Sequence, residues 1–398
     1  MPDLGQFSPL YPEERVLGPL QDLAARIVRA SHGLARAGEP LAHALRPKLR
    51  AMNSYYSNRI EGQHTRPAAI EQALHKQFDA DAGLARKQRL AVAHMEVEEH
   101  LEKKARETEP RNLFDGAFVR EIHKLLYSAL PATDRVTDDG EPVAPGKFRR
   151  RDVAAGRHMA PPWKDVDGLV EGWADRYRGL SGAESLLIGI ACSHHRLAWV
   201  HPFMDGNGRT ARLHSHAVLD AMGLTHGLWS PMRGLARSRE QYYARLNNAD
   251  LPRRNDVDGR GALSQEELVA FARYFLETCL DQAEFMQAQL DFALLKDRLR
   301  RLLRELEAAP WQVGTEKSIV RIEALEPLHY TALAGPLERA RFISMTGLAE
   351  RTGRRVLASL LDYGVLKAES HRAAVQFSVP MASLHILFPN LWPEVETE

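Results

Sequence analysis

The stretch His201–Arg212 reads HPFMDGNGRTAR, so a histidine, an acid, a Gly-Asn-Gly turn and two arginines lie within twelve residues. A hydrophobic core needs none of these polar side chains, so the stretch indicates chemistry rather than packing. Pro202 disfavours helical geometry at His201, and we therefore expect the preceding helix to end there. The stretch predicts a loop between two helices, with His201 at the rim of the loop.

The segments on both sides of this loop have helical patterns. SGAESLLIGIACSHHRLAWV, Ser181 to Val200, repeats apolar residues at helical spacing, which predicts a largely buried helix. Ser181 and Glu184 have the spacing of a capping box at its start. A second helix is predicted from Arg209 to Met222, with Gly223 as its stop.

Working outward, most of the chain favours helix. Residues 14–105 are rich in Ala, Leu, Glu and Arg, which are good helix formers. Asp134–Pro162 is instead rich in Gly, Pro and Asp with short apolar alternation, which predicts a loop and a β-hairpin. We therefore predict an all-α fold, mainly helical with a small β-hairpin flap, followed by a C-terminal winged-helix α+β domain.

The pattern predicts three regions. They are an N-terminal helical region over 1–110, a core over 111–300 and a winged-helix domain over 310–398, whose sequence pattern starts near Glu316. Met345–Val379 has the order helix, turn, helix and two strands that is typical of a winged helix.

Composition limits the classes of function. The chain has 398 residues, and its 53 Lys and Arg nearly cancel its 52 Asp and Glu, which argues against a bulk electrostatic partner such as nucleic acid or an anionic membrane. Two cysteines favour a reducing compartment. The N-terminal residues do not resemble a signal peptide, and no apolar run approaches the ~20 residues that span a bilayer. We expect a soluble cytoplasmic protein without a membrane partner.

The residue types in the loop suit phosphate chemistry. The free N–H groups at the start of the second helix favour an anion, and Gly206 and Gly208 let the backbone approach it closely. Arg209 and Arg212 lie on one helix face and suit a polyphosphate. Asp205 is an oxygen ligand of the kind that Mg²⁺ prefers.

A histidine can act as a general base near neutral pH, and His201 stands beside these groups. The segment is not a P-loop, because the nearest lookalike, Gly140–Phe148, has the wrong glycine spacing and lacks Ser or Thr after Lys147. The stretch therefore predicts a site for phosphate transfer that contains a base, a metal ligand and an anion-binding loop.

HPFMDGNGRTAR resembles the signature of the Fic family, His-x-Phe-x-Asp/Glu-Gly-Asn-Gly-Arg-x-x-Arg, at every defining position. The resemblance implies transfer of AMP from ATP to a Ser, Thr or Tyr hydroxyl of a target protein. It implies that His201 is the catalytic base and that Asp205 holds Mg²⁺. It also implies a set of nucleotide-binding residues: Phe203, Gly206, Asn207, Gly208, Arg209, Arg212, Tyr243 and Asn247.

A second stretch, SNRIEG at Ser57–Gly62, resembles the inhibitory motif Ser/Thr-x-x-x-Glu-Gly/Asn of the same family. In the subclass that carries this motif on a helix before the core, the glutamate pairs with the second arginine of the signature. The resemblance implies that Glu61 engages Arg212 bidentately and keeps it from the γ-phosphate. The alternative is an ordinary solvated glutamate near a helix end.

The predicted hairpin is placed where the family has its target-docking flap. Its likeliest exposed edge is Val153, Ala154, Ala155 and Gly156, and an exposed edge can pair with the main chain of a target. The alternative is a surface hairpin without a role. Tyr243 and Asn247 resemble the segment that lines the adenine side, although an aromatic pair at helical spacing is more often core.

Two other functions stay open at the sequence level. One keeps the site but transfers a different phosphate-containing group. The other is a winged-helix DNA-binding regulator with a nucleotide-sensing core. Residues 316–398 contain nine Lys and Arg against ten Asp and Glu, which disfavours nucleic acid as a partner. Homo-oligomerisation is left open.

Overall fold

In this computed structural model, the structure describes residues 4–35, 38–156, 158–309, 311 and 318–394. Helices make up 65% of the structure, and the strands form short hairpins. The predicted mainly helical fold class is therefore confirmed. Among the described residues, no helix combines the length and the apolar content needed to cross a membrane.

The chain divides into two compact units. The first contains residues 1–32 and 50–284, and the second contains residues 33–49 and 285–398. The three-part division predicted from the sequence stays a prediction, and its expected C-terminal start near Glu316 lies outside the described residues.

The helices up to the end of the first unit are, in chain order, α1 Gly18–Leu34, α2 Glu39–Ile60, α3 Pro67–Leu74, α4 Ala82–Ala105, α5 Gly116–Ser128, α6 Val166–Arg178, α7 Ala183–Val200, α8 Asn207–Ala221, α9 Met232–Arg237, α10 Arg239–Ala249 and α11 Gln265–Gln289. A two-stranded antiparallel hairpin, β1 Ala154–Ala155 and β2 His158–Met159, lies between α5 and α6. Helices α7 and α8 are central, because α7 packs against α6 and α8, and α8 also packs against α4 and α5.

Helix α7 is buried on nearly every face, as its apolar pattern predicts. It ends at Val200, and the following His201 adopts the left-handed conformation with φ 48°. The predicted capping box at its start is wrong. The N-cap is Gly182 at φ 84°, where a glycine is favoured, and no side chain caps the helix there.

Helix α8 begins two residues earlier than predicted, at Asn207 rather than Arg209. The reason is that Gly206, and not Gly208, has the left-handed conformation, with φ 78°, that turns the chain into the helix. The helix ends at Ala221, just before Gly223 at φ 70°. The Gly-Asn-Gly turn therefore forms part of the first turn of α8.

The second unit contains α12 Phe292–Ala308, α13 Leu325–Ala334, α14 Arg339–Met345, α15 Glu350–Asp362, the antiparallel strands β3 Leu366–Lys367 and β4 Gln376–Phe377, and α16 Leu384–Leu387. The order helix, turn, helix and hairpin is present over α14 to β4, but its first helix ends at Met345, where the predicted segment Met345–Val379 begins. Helix α15 buries Val356 and Leu360 and exposes Arg351, Arg354 and Arg355. Assignment as a winged helix stays a prediction.

Candidate active site

The loop between α7 and α8 is fixed by the side chain of Asn207. Its Nδ2 donates to Phe203 O at 2.9 Å, and its Oδ1 accepts from Phe203 N at 2.8 Å. The Phe203 ring is fully buried and stacks on His123 with ring centroids 3.8 Å apart. The buried ring supports the loop, and the predicted part of Phe203 in nucleotide binding stays a prediction. The amide of Asn207 is likewise occupied in bracing the loop.

One side of the loop is an ion pair closed by a tyrosine. Arg209 Nη2 donates to Asp205 Oδ2 at 3.2 Å and to the Tyr127 hydroxyl at 3.0 Å. That hydroxyl donates in turn to Asp205 Oδ2 at 2.7 Å. Burial would raise the pKa of Asp205, but the Arg209 charge and the Tyr127 hydrogen bond outweigh burial and hold the pKa below its usual value. Asp205 is therefore a carboxylate at neutral pH.

A histidine on α5 holds the same side of the loop through the backbone. His123 Nε2 lies 3.1 Å from Asp205 O, and Nδ1 accepts from Gly146 N at 2.9 Å. A carbonyl only accepts, so the proton is on Nε2. Burial lowers the pKa of His123 to about 4, which keeps the ring neutral at pH 7. His123 and Tyr127 are one helical turn apart, and sequence reasoning missed both because no local motif marks them.

The other side of the site is closed by α2. Arg212 donates from Nη2 to Glu61 Oε1 at 2.6 Å and to Ser57 O at 3.0 Å, and from Nε to Ser57 Oγ at 3.0 Å. The pairing of Glu61 with Arg212 is therefore present, but it is a single hydrogen bond rather than the predicted bidentate one. Ser57 supplies the remaining acceptors. A Cβ on Gly208 would collide with the Glu61 carboxylate, which places that carboxylate over the first turn of α8.

His201 is half-buried at the loop rim, with Nδ1 3.3 Å from Ala198 O. Because that carbonyl can only accept, the ring carries its proton on Nδ1, and the lone pair of Nε2 is left for an incoming proton. Burial, together with the charge of His158, lowers the pKa of His201 to about 4. The ring is neutral at pH 7. Arg149, which is itself buried, donates from Nε to His201 O at 2.8 Å and fixes the backbone there.

These groups surround one cavity of about 490 Å³. The residues that line it are Glu61, Ala155, Gly156, His158, His195, Ala198, Trp199, His201, Asn207, Gly208, Arg212, Tyr242, Tyr243, Leu246, Asn247 and Asp250. The structure thus gathers most of the predicted site residues around a single space. Phe203, Asp205 and Arg209 do not line it, since Phe203 lies below the loop and the other two form the ion pair beside it.

Tyr243 and Asn247 both lie on α10 and line this cavity, as predicted. The Tyr243 hydroxyl donates to Ile60 O at 3.0 Å, and Arg239 Nε donates to the same carbonyl at 2.8 Å. Helix α10 therefore anchors the end of α2 that carries Glu61. Asn247 is exposed.

The predicted flap is a hairpin with two residues in each strand. Ala154 pairs with Met159, and Ala155 pairs with His158. Ala155 and Gly156 line the cavity, while Val153 accepts at its carbonyl oxygen from Ala160 N at 3.3 Å. Two of the four predicted edge residues, Ala155 and Gly156, thus lie at the cavity wall, whereas Val153 and Ala154 do not line it. The paired segment is shorter than a typical strand.

The chemistry of the loop fits a magnesium ion shared with a bound nucleotide. No group of three or more His, Cys, Asp or Glu side chains in the described part of the chain is arranged to hold a metal by itself. Mg²⁺ commonly takes one or two protein carboxylates and completes its shell with phosphate oxygens and water. Asp205 is ionised, its side chain is 34% exposed, and Oδ1 accepts a backbone hydrogen bond from Gly206 N at 2.6 Å. One such carboxylate suits that mode of binding.

The segment that carries α7, the loop and α8 is similar in sequence to a known family. Residues 113–219 match the model of the Fic/DOC family. The chain is similar to Protein adenylyltransferase Fic of Drosophila mojavensis, with 29% identity over 41% of this chain and 31% of that protein. It is also similar to Protein adenylyltransferase Fic of Nematostella vectensis, with 34% identity over 29% of this chain and 26% of that protein.

These matches span about a third or less of the length of the curated relatives. Among solved structures, a Fic family protein from Desulfovibrio desulfuricans G20 superimposes with a TM-score of 0.53 at 18% identity. That superposition covers 91% of this chain and 97% of the other, and at this identity it establishes the fold alone.

Proposed function

We propose that this protein is an adenylyltransferase that transfers AMP from ATP to a Ser, Thr or Tyr hydroxyl of a target protein. The observation that carries the proposal is that His201, Gly208 and Arg212 line one cavity at the N-terminus of α8. The curated relatives that match the central part of the chain are named for this activity.

His201 is the base in this proposal. Its lowered pKa of about 4 leaves the ring neutral at pH 7, and Nε2 has a free lone pair. Nε2 takes the proton from the target hydroxyl, and the oxygen forms a bond to the α-phosphorus of ATP. The bond between the α-phosphorus and the bridging oxygen breaks, and pyrophosphate leaves.

The α8 N-terminus binds the phosphates in this proposal. The backbone N–H groups of Asn207 and Gly208 are at the first turn of the helix, where an anion is favoured. Asp205 would hold Mg²⁺, which would supply positive charge to stabilise the phosphates. Arg209 is paired with Asp205 and orients that carboxylate, and Arg212 binds the outer phosphates once it is released from Glu61.

Glu61 makes the enzyme self-inhibited in this proposal. Its carboxylate pairs with Arg212 and lies over Gly208, where the outer phosphates of a productively bound nucleotide belong. The outer phosphates of a bound ATP then lack both Arg212 as a partner and the space over Gly208. The negative charge of Glu61 also repels them. The proposal includes the predicted target flap at Val153–Gly156 and a cytoplasmic location. Reversal of the modification by the same site is open.

Labelled ATP tests this function. Glu61→Gly removes a hydrogen bond between charged groups worth ~1.5–3 kcal/mol, so auto-modification with ATP labelled at the α-phosphate is expected to rise about tenfold or more. Glu109→Gly changes an exposed loop glutamate and is the matched control, expected to leave the rate unchanged. Adding His201→Ala to Glu61→Gly is expected to abolish labelling.

The label also separates the alternatives. Transfer of label from the γ-phosphate instead of the α-phosphate would contradict AMP transfer and favour a different transferred group. No label from either position, together with sequence-specific DNA binding, would favour the regulator. If Glu61→Gly leaves the labelling rate unchanged while labelling still depends on His201, Glu61 is not an inhibitor, but the proposed transferase activity stands.

A further inference from the structure

The second strand of the flap hairpin carries a histidine that is bound at both ring nitrogens. His158 Nδ1 lies 3.1 Å from Asp250 Oδ2, directly after α10, and Nε2 lies 2.7 Å from Trp199 O at the end of α7. Its side chain is only 10% exposed. The single residue His158 therefore connects the flap to α7 and to the end of α10, and both helices line the cavity.

Both acceptors determine the protonation state of this ring. A carboxylate and a carbonyl accept hydrogen bonds and cannot donate them, so both ring nitrogens must carry protons. His158 is therefore an imidazolium. Asp250 Oδ1 lies 3.0 Å from His195 Nε2, while His195 Nδ1 accepts from Arg196 Nη1 at 2.8 Å, so His195 is neutral and donates to the same carboxylate.

We propose that His158 is a positioning residue whose charged ring, bound between Asp250 and the Trp199 carbonyl, pins the flap hairpin at the candidate site. The pinned residues Ala155 and Gly156 line the cavity beside His201. A hairpin with two residues per strand has little stability of its own, so an outside anchor decides its position. The role of this anchor in target docking rests on the proposed function.

The charged and titratable groups that face His158 are Asp250 after α10, His195 and His201 on α7 and directly after it, and Arg149 before β1. Burial and Arg149 lower the pKa of His158, but the Asp250 pair and the Trp199 hydrogen bond outweigh them and raise it above 6.5. A group whose pKa is raised in the folded protein stabilises the fold fully at a pH below its pKa in the unfolded chain. This stabilisation is lost as the pH rises through its pKa in the folded protein. The flap is therefore expected to loosen on the alkaline side of pH 6.5.

The charge has a second consequence at the proposed base. The His158 imidazolium lowers the pKa of His201, so it helps to keep that ring neutral. Loss of the His158 charge is thus expected to change the position of the flap. It is also expected to change the acid limb of the pH profile of auto-modification, which depends on neutral His201.

Hydrogen exchange of the unlabelled protein tests the anchor without any assay of transfer. In His158→Gln, the amides of Val153 to Gly156 and of His158 and Met159 are expected to exchange about tenfold faster at pH 6, after correction for intrinsic rates. In the wild type their protection falls as pH rises above 6.5, whereas in the variant it does not depend on pH. His100→Gln, which removes an exposed histidine 3.2 Å from Glu121, is the matched control and leaves the flap unchanged.

Asp250→Asn is a second variant, expected to accelerate exchange in the same segment. NMR of ¹⁵N-histidine-labelled wild type needs no variant to fold and is expected to show both His158 ring nitrogens protonated at pH 6.5. A neutral His158 ring at that pH, or flap exchange that neither variant changes, would overturn the proposal.

Activity then tests the docking role separately. In the Glu61→Gly background, auto-modification with α-labelled ATP is expected to fall above pH 6.5, and His158→Gln removes that limb of the profile. Absence of any labelling would count against the adenylyltransferase and leave the exchange result standing. Labelling with an unchanged alkaline limb in the variant would refute the docking role alone.

Discussion

The two arginines of α8 are three residues apart and both buried, yet they are held by different parts of the chain. Arg209 pairs with Asp205 and Tyr127, which lie within the segment that matches the Fic/DOC family. Arg212 pairs with Ser57 and Glu61, which lie on and just after α2, outside that segment. Arg209 is therefore held by the loop and α5, whereas Arg212 is held by α2 and the residue that follows it. In the proposed function, the regulated arginine is the one whose partners come from a separate element.

The two glycines of the loop repeat this contrast. A Cβ on Gly206 would lie 2.6 Å from the ring of Tyr127, which is a buried side chain without room to move. A Cβ on Gly208 would meet the end of the Glu61 side chain, which is 30% exposed and can swing away. One side of the site is closed by packing and the other by a flexible carboxylate.

The largest loss of stability is expected from a change at Gly206, on the side of the site that is closed by the packed Tyr127 ring. Gly206→Ala adds a Cβ at φ 78° and against the Tyr127 ring, and is expected to lower the free energy of unfolding by about 2 to 5 kcal/mol. Gly182→Ala is the matched control, because φ is 84° there and a Cβ would have open space. Its cost is expected to be the backbone strain alone, about 1 to 2 kcal/mol.

Urea denaturation of both variants measures the difference. Equal losses of stability in the two variants would show that the Tyr127 ring yields easily, and the fixed side would then be no more rigid than the side closed by Glu61.

A smaller effect is expected when the tyrosine loses only its hydroxyl. Tyr127→Phe removes the hydrogen bonds to Asp205 and Arg209 but leaves that ion pair, so the free energy of unfolding is expected to fall by ~1–3 kcal/mol. In the Glu61→Gly background, auto-modification is expected to fall about tenfold, because Asp205 loses a partner that orients it. Both quantities are measured on the same preparation.

Tyr177→Phe also removes a buried tyrosine hydroxyl, which bonds to Leu10 O, away from the loop. It is expected to cost stability without reducing labelling. If Tyr177→Phe lowers labelling as much as Tyr127→Phe, the loss reflects general destabilisation, and Tyr127 has no special part in the site.

The sequence predicted the parts of the site that are continuous in the chain. Pro202 located the end of α7, and the glycines located the turn, since both act through local backbone sterics. The start of α8 was misplaced because local rules do not decide which of two nearby glycines takes the left-handed conformation. The burial of the Phe203 ring was not foreseen, because it depends on His123, which is 80 positions away in the sequence.

The supporting residues were not predictable in this way. Tyr127, His123 and His158 act through hydrogen bonds to residues at least 23 positions away, and a single His or Tyr carries no local signal of such a partner. The pairing of Glu61 with Arg212 was predicted from a motif resemblance. The hydrogen bonds that Ser57 accepts from Arg212 were seen only in the structure. Packing, rather than periodicity, decides these roles.

The smallest effect is expected at Ser57, on the side of the site that is closed by α2 and Glu61. Ser57→Ala removes the Oγ acceptor of Arg212 Nε but keeps the acceptor Ser57 O and the pair with Glu61. One hydrogen bond to a charged group is worth ~1.5 kcal/mol at the low end, so auto-modification is expected to rise severalfold, up to about tenfold, and less than in Glu61→Gly. Ser54→Ala is the matched control, because Ser54 is also buried on α2 but donates to Ala91 O. If Ser54→Ala raises labelling as much as Ser57→Ala, release follows from loosening α2 as a whole, and the contrast between the two arginines does not rest on their individual partners.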